Sequence, residues 1–126
     1  MHHAKFYKCK TCGNIVLKVV DKGPELSCCG AVMGELKANT SDGAAEKHVP
    51  AVVQSGDKVT VTVGSVMHPM EEKHFIEWIY LVTDNGIQCS DLKPGQEPVA
   101  EFLLNGAKLV SVYEFCNLHG LWKVDL

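Results

Sequence analysis

The chain has 126 residues, which is enough for one ordinary domain or two small ones. Hydrophobic residues make up 46% of it, and 12 basic against 15 acidic side chains leave a net charge of −3, so we expect a buried core and no nucleic-acid partner. No apolar run approaches the ~18 residues of a membrane span, and residues 1–8 lack the apolar segment of a signal peptide. These features predict a cytoplasmic protein with no membrane association, whose six cysteines stay reduced for metal or redox chemistry.

Two cysteine clusters near the N-terminus have the spacing of a tetrahedral metal site. A CxxCG knuckle and a CCG pair, separated by a strand-like excursion, contain Cys9, Cys12, Cys28 and Cys29. Four thiolates suit zinc and iron alike, so the spacing predicts a metal site and leaves the metal open. We expect positive φ angles at Gly13 and Gly30, which would turn backbone N–H groups toward sulfur. A domain of residues 1–37 is too small to fold on packing alone, so the metal would supply much of its stability.

The rest of the chain, residues 38–126, is predicted to be a β-sandwich that begins with a small, polar linker at residues 38–45. Residues 59–63 (VTVTV) alternate apolar and polar side chains, which is typical of a half-buried strand. Further strands, separated by turn residues, are predicted at residues 75–83, 99–104, 109–115 and 120–126. Several short strands without helical periodicity predict an all-β fold.

A second set of possible metal ligands is scattered over three segments of this domain. Four of the six histidines and one isolated cysteine lie there: His48, His68, His74, Cys116 and His119. We expect all of them in loops or at strand ends, where a rigid sandwich can hold a site at its rim. Pro50 favours an extended Val49, so His48 is expected on an exposed loop that enters a strand.

Five such donors predict a reactive metal rather than a structural one. Imidazole and thiolate are ligands that first-row transition metals prefer. Structural zinc normally has four ligands, whereas iron accepts five and keeps one position open. Divalent iron with four neutral imidazoles and one thiolate keeps a net positive charge, so the open face would attract a small anion. A thiolate opposite that face would push electron density toward the bound group.

Simpler interpretations remain at this point. The chain could be a zinc-binding module without catalysis, or an electron-transfer protein whose metal has no open position. The remaining cysteine, Cys89, belongs to neither cluster and is predicted to be a buried or idle thiol.

The motifs resemble those of a known family over nearly the whole chain. Residues 9–12 (CKTC) with the pair at 28–29 resemble desulforedoxin. The superoxide reductase domain is similar at residues 46–50 (EKHVP), 68–74 (HPMEEKH) and 116–120 (CNLHG). In this order they resemble desulfoferrodoxin, the two-iron superoxide reductase family.

The resemblance implies two iron ions per chain, one in each domain. The first domain would be a desulforedoxin-like unit with an Fe(Cys)₄ centre. The second would be an immunoglobulin-like β-sandwich with an Fe(His)₄Cys centre. The ligands of the first centre would be Cys9, Cys12, Cys28 and Cys29. Those of the second would be the equatorial His48, His68, His74 and His119 and the axial Cys116. The family is usually homodimeric, so a homodimer is expected.

The implied activity is the one-electron reduction of superoxide to hydrogen peroxide at the second centre. The resemblance assigns catalytic roles to Lys47, which would guide the anion in and hold a water for proton delivery, and to Glu46, which would ligate the ferric iron once peroxide has left. A small electron donor such as rubredoxin would restore the ferrous state. The first iron is not essential for this reaction in the family. A dismutase, which would also oxidise superoxide to oxygen, is the rival within the same chemistry.

Overall fold

The computed structural model describes residues 4–126, and the chain divides into two compact units, one ending at Lys37 and the other formed by Ala38–Leu126. The strands of the first unit are short: β1 (Phe6–Lys8), β2 (Ile15–Leu17), β3 (Ser27–Cys28), β4 (Ala31–Val32) and β5 (Gly34–Glu35). β1 pairs antiparallel with β2 and β5, and β3 pairs with β4. Of its described apolar side chains only Phe6, Cys9 and Met33 are buried, so packing alone contributes little to its stability.

The second unit is a two-sheet β-sandwich with one helical turn. Its elements are α1 (Ala45–His48), β6 (Pro50–Ser55), β7 (Lys58–Val63), β8 (Ile76–Thr83), β9 (Gly86–Asp91), β10 (Val99–Leu103), β11 (Leu109–Cys116) and β12 (Gly120–Asp125). One sheet has the order β10-β7-β6 and the other β12-β11-β8-β9, with every pairing antiparallel. Three strands against four is the arrangement of an immunoglobulin-like sandwich, so the all-β prediction is confirmed.

The core lies between the two sheets. Val59, Val61 and Val63 alternate inward from β7 and are fully buried, as the VTVTV pattern predicts. Ile79 and Leu81 of β8 belong to the same cluster from the opposite sheet. The strands that form this core lead into or out of the segments that contain the histidines. Within residues 4–126, no helix has the length and apolar character needed to cross a membrane.

Residues 38–45 are not the free linker that their composition suggests. The Asn39 backbone N–H donates to the Leu121 carbonyl at 3.0 Å. The Asn39 side chain accepts from the Lys123 N–H at 2.8 Å and donates to the Lys123 carbonyl at 3.2 Å. The segment therefore forms part of the second unit, because one amide side chain matches the hydrogen-bonding groups of β12.

The strand β9 lies at the sheet edge and has no clear apolar pattern in the sequence. Its residue Cys89 faces Tyr80 across the pairing with β8, and the thiol is exposed. The prediction for Cys89 is a buried or idle thiol, and the first alternative is wrong, because a side chain on the open face of an edge strand has no layer to cover it.

Candidate metal centres

The four cysteines of the first unit come together as one cluster. Their sulfur atoms lie within 4.8 Å of one another. The Cys12 and Cys28 sulfurs are 3.6 Å apart, and those of Cys28 and Cys29 are 3.9 Å apart. A sulfur tetrahedron around a metal with bonds of about 2.3 Å has edges of about 3.8 Å. The spacing therefore fits a four-thiolate metal centre.

The backbone around these cysteines forms tight turns. The Gly13 N–H donates to the Cys9 carbonyl at 2.9 Å, and the Cys12 N–H lies 3.5 Å from the Cys9 sulfur. Gly13 and Gly30 have φ angles of 83° and 75°, which confirms the prediction from their positions after cysteine. The turn of residues 9–13 directs the Cys12 N–H toward the Cys9 sulfur, where it stabilises thiolate charge.

The pKa values of three of these thiols also indicate a cation-binding site. The backbone N–H of Cys12 lowers the pKa of Cys9 to about 6. In contrast, the adjacent Cys12 sulfur raises the pKa of Cys29 to about 12 and contributes most to raising that of Cys28. Four sulfurs this close cannot all ionise alone, whereas a bound metal ion would deprotonate them together.

The four histidines of the second unit form a closed ring. Adjacent imidazoles stand edge to face, and the order around the ring is His48, His68, His74 and His119. Successive centroid separations are 4.7, 4.6, 5.0 and 4.8 Å. This is the arrangement of four equatorial ligands around one centre.

Hydrogen bonds to backbone carbonyls fix the orientation of two of these rings. Nδ1 of His48 donates to the Ala44 carbonyl at 2.8 Å, and Nδ1 of His68 donates to the Pro69 carbonyl at 2.6 Å. Each Nε2 therefore keeps a lone pair. The two Nε2 atoms are 3.1 Å apart, and that of His48 lies 3.0 Å from Nδ1 of His119. Facing lone pairs repel, so a shared cation explains this spacing.

Cys116 lies against the ring on its buried side. Its sulfur is 3.4 Å from Nε2 of His68 and 3.8 Å from Nδ1 of His119. Cys116 is fully buried, whereas His74 and His119 are only half-buried. The sulfur therefore takes the inner position, and the opposite side of the ring lies nearer to solvent.

Burial keeps three of the imidazoles neutral, which is the form that binds metal. It also makes ionisation of the Cys116 thiol depend on a bound cation. It lowers the pKa of His48, His74 and His68, the last to about 4, so these imidazoles are neutral at physiological pH. It raises the pKa of the Cys116 thiol, so a thiolate there requires an adjacent cation. Nε2 of His74 is buried and has no hydrogen-bond partner among the described residues. The donor set therefore fits an iron ion with five protein ligands.

Local backbone structure positions His48 and His119 in the ring. Val49 is extended (φ −68°, ψ 124°), as Pro50 requires, but His48 itself is the last residue of α1 and is 2% exposed. The prediction of an exposed loop is wrong at His48, because its ring packs among the other imidazoles and on Trp122. Gly120 has a φ of 80° and closes the short hairpin loop that carries His119.

Asn117 links two ligand segments. Its side-chain oxygen accepts from the Phe75 N–H at 2.9 Å, and its amide nitrogen donates to the Lys73 carbonyl at 3.0 Å. These two residues flank His74, so Asn117 fixes His74 relative to the Cys116 hairpin.

Three further residues support the site and are absent from the sequence-based prediction. Trp122 stacks on His48 and donates its Nε1–H to the His119 carbonyl, which also accepts from the Ser41 hydroxyl. Gly43 lies so close to His48 that an added Cβ would be 3.1 Å from its ring. The contacts of Ser41 with His119 and of Trp122 with His48 join segments that are distant in sequence, so no local motif could reveal them.

Glu114 is a buried carboxyl two residues before Cys116. It is fully buried, and within residues 4–126 neither of its oxygens has a hydrogen-bond partner. Burial raises its pKa well above the ordinary value. A charged residue at an inward position of an apolar strand is a signal that is visible in the sequence, although it belongs to no metal-ligand motif.

Glu46 and Lys47, the predicted catalytic residues, occupy the exposed side of α1. Burial and then the neighbouring His119 lower the pKa of both His48 and His74, and the positive charge of Lys47 adds a smaller contribution in the same direction. The charge of Lys47 therefore acts on two members of the histidine ring.

The fold and the two donor clusters define an all-β protein with a four-sulfur centre and a separate four-histidine, one-cysteine centre. A sequence model of desulfoferrodoxin matches residues 40–125, and a model of the desulfoferrodoxin N-terminal domain matches residues 2–36. The chain belongs to the desulfoferrodoxin family. Its two clusters match the two iron centres that the resemblance implies.

Individual relatives agree with this assignment over nearly the full chain. The desulfoferrodoxin of Nitratidesulfovibrio vulgaris is 52% identical over 121 residues, with 96% of this chain and 95% of that protein covered. The desulfoferrodoxin homolog of Archaeoglobus fulgidus is 49% identical, with 93% of each covered. The crystal structure of the superoxide reductase from Treponema pallidum superposes with a TM-score of 0.82 at 34% identity, covering 98% of this chain and all of that one (100%).

Proposed function

We propose that this protein is a superoxide reductase, which reduces superoxide to hydrogen peroxide at the centre of four histidines and Cys116. The supporting observation is the closed imidazole ring with a buried sulfur on one side and the solvent-facing side opposite. The likeness to proteins named superoxide reductase points the same way. Bound iron would supply the single electron and an open coordination position for a small anion.

Lys47 attracts the anion and supplies the route for its protons. Its ammonium is exposed on α1, immediately before the ligand His48. A positive charge beside a small open site raises the encounter rate with an anionic substrate. The same ammonium can hold a water molecule by hydrogen bonding, which would supply a proton donor close to the histidine ring.

Glu46 occupies the other exposed position of the same turn. We assign it the role of closing the vacant position after product release. A carboxylate carries negative charge and hard oxygen donors, so it suits a more positively charged centre.

We assign residues 1–37 to the Fe(Cys)₄ domain and residues 38–126 to the catalytic domain, with Cys9, Cys12, Cys28 and Cys29 as ligands of the first centre. The electron donor is a small carrier such as rubredoxin. Leu118 is 61% exposed between Cys116 and His119 and offers an apolar contact beside the catalytic centre. Replacing Leu118 by lysine should slow reduction by rubredoxin more than reduction by a small chemical reductant.

The protein is also proposed to be a cytoplasmic homodimer. Nine metal-binding side chains that include five thiols require a reducing compartment. The first unit exposes Val19 at 82% and Val20 at 64%, and it carries an apolar groove of about 380 Å³ lined in part by Leu17, Leu26 and Met33. Light scattering should give twice the chain mass, and a monomer at all concentrations would contradict the dimer.

Metal analysis with anion titration tests the proposal against a zinc module and a closed electron carrier. Anaerobically purified protein should contain two irons per chain and absorb visible light when oxidised. Azide or cyanide should then change the spectrum of the second centre, because five protein ligands would leave one position of a six-coordinate iron open. Colourless zinc protein, or an iron spectrum indifferent to both anions, would contradict a superoxide reductase.

A further inference from the structure

We infer that the loop of Gly64, Ser65 and Val66 is the seat that positions Lys47 over the catalytic centre. The inference rests on the proposed function, in which the Lys47 ammonium guides superoxide. It assigns positioning roles to residues that have no metal-binding or charged group of their own.

The turn that carries Lys47 has little intrinsic stability. α1 has four residues, and no described side chain caps its N-terminus. An isolated turn of this length does not persist in water. The mean position of a long, flexible lysine side chain depends on where its backbone is anchored. Contacts with neighbouring backbone must therefore fix where the ammonium lies.

The loop supplies those contacts through one carbonyl. The Glu46 carbonyl oxygen accepts from the Val66 N–H at 2.9 Å and from the Ser65 hydroxyl at 3.2 Å. The loop is itself closed by the Gly64 N–H, which donates to the Val66 carbonyl at 3.3 Å. Two donors on the peptide group that joins Glu46 to Lys47 hold that peptide in a single orientation.

Gly64 permits the close approach. A Cβ added at Gly64 would lie 2.6 Å from the Glu46 carbonyl oxygen, 2.9 Å from the carbonyl carbon of Lys47 and 3.0 Å from the carbonyl oxygen of Val49. All three neighbours are backbone atoms, which cannot rotate away as a side chain would. Any side chain at position 64 must therefore displace the turn or the loop.

The seat is also connected to the metal ligands. The His68 N–H donates to the Val63 carbonyl at 2.8 Å, so the residue before Gly64 holds the backbone of the next ligand along the chain. On the other side of the turn, the Ala44 carbonyl accepts from the Lys47 N–H at 3.0 Å and from Nδ1 of His48 at 2.8 Å. The loop thus fixes the position of the Lys47 backbone relative to the histidine ring.

Two substitutions separate this role from general stability. Ser65→Ala removes one of the two hydrogen bonds that the loop donates to the Glu46 carbonyl, and Gly64→Ala forces the turn outward. Gly86→Ala is the matched glycine control, because no described atom lies within 4 Å of a Cβ there. Each change is made in the wild type and in Lys47→Ala. Two quantities are then measured as a function of ionic strength: the second-order rate constant with superoxide and the affinity of the oxidised protein for azide. Amide hydrogen exchange of residues 45–48 is followed on metal-free protein.

The inference predicts that Ser65→Ala lowers the rate roughly two- to threefold, which is a fraction of the roughly tenfold loss expected when the Lys47 charge is removed altogether, and weakens the salt dependence of azide binding. Gly64→Ala should have a larger effect, up to that of Lys47→Ala, and both should speed exchange of the α1 amides, whereas Gly86→Ala should change none of these. In Lys47→Ala protein neither seat variant should slow the rate further, because the group that they position is absent. If Gly64→Ala fails to fold, Ser65→Ala carries the test.

Two results would overturn the inference, and they differ in their meaning. Equal slowing by Ser65→Ala with and without Lys47 would show that the loop acts on the metal site in general, and the proposed function would stand. An unchanged rate in Lys47→Ala itself would remove the guiding role from the proposed function and the positioning role with it.

Discussion

The Trp122 ring stacks on the His48 imidazole, with a centroid separation of 4.9 Å and an interplanar angle of 26°. The same indole donates its Nε1–H to the His119 carbonyl at 3.0 Å. His48 and His119 are neighbours in the histidine ring, and they are distant in sequence. One buried side chain of β12 therefore fixes two ligands against each other, which is the work of outer-shell groups at a metal site.

Replacing Trp122 should separate its two contributions. Trp122→Phe keeps an aromatic ring against His48 and loses the hydrogen bond, for a cost of about 1 kcal/mol in the unfolding free energy of the metal-loaded protein. Trp122→Ala also leaves a cavity and should cost about 3–5 kcal/mol. Denaturant unfolding followed by the visible band of the second centre measures both. Equal stability of the two variants would show that the stacking does not support the site.

Lys47→Ala should slow the reaction with superoxide by roughly tenfold at low ionic strength, because it removes a positive charge beside the open face. The difference from wild type should shrink as salt is added, since the screening length falls to about 10 Å at 0.1 M. Fast kinetics with superoxide generated in solution give the rate.

Lys108→Ala is the matched control for Lys47. Lys108 is exposed and immediately precedes β11, whose opposite end is Cys116. An eight-residue strand separates them by about 27 Å. This variant should react like wild type at every ionic strength. Equal slowing by both substitutions would indicate an effect of overall charge rather than local guidance.

Cys9→Ser should abolish the four-sulfur centre and leave superoxide reduction largely intact. Cys9 is the buried member of the cluster, 3% exposed, and a hydroxyl there does not replace a thiolate ligand. Iron content should fall from two per chain to one, with loss of the visible band of the first centre. Cys89→Ser, which removes an exposed thiol outside both clusters, should retain both irons. Loss of activity with the second centre fully loaded would show a direct role for the first.

Asp21→Asn should destabilise the first unit at neutral pH and have less effect in acid. The carboxylate accepts from Lys18 Nζ at 2.8 Å, from the Gly23 N–H at 2.9 Å and from Lys5 Nζ at 3.0 Å. These contacts, Lys18 first, hold the pKa of Asp21 well below its ordinary value of 3.8. The stabilisation is therefore complete above the unfolded-state pKa and is lost as pH falls through the lower folded-state value.

Melting temperatures of wild type and Asp21→Asn, compared from about pH 7 downward, measure this effect. The gap between them should stay constant to about pH 5 and narrow below about pH 4. A gap that widens in acid would have the wrong sign for a carboxylate with a lowered pKa.

The sequence is most informative where a residue type is chemically distinctive. Cysteine and histidine at metal-ligand spacing identify His68 or Cys116 without any knowledge of the fold. The alternation of Val59, Val61 and Val63 likewise follows from the period of a strand. Both predictions depend only on local chemistry and local geometry.

The rest depends on contacts between segments that are distant along the chain. Pro50 correctly predicts an extended Val49, but the burial of His48 depends on Trp122, which no local pattern links to it. Gly64 is required because another stretch of backbone approaches it. Asn39 resembles a linker residue in the sequence, but in the folded chain its side chain forms hydrogen bonds with β12. Such contacts appear only once the chain is folded.

The stoichiometry of the reaction with superoxide tests the central claim most directly. Reduced protein with excess electron donor should yield one hydrogen peroxide for each superoxide consumed, oxidise one equivalent of donor, and release no oxygen from superoxide. Oxygen evolution with half as much peroxide and no donor consumption would identify a dismutase and contradict the account.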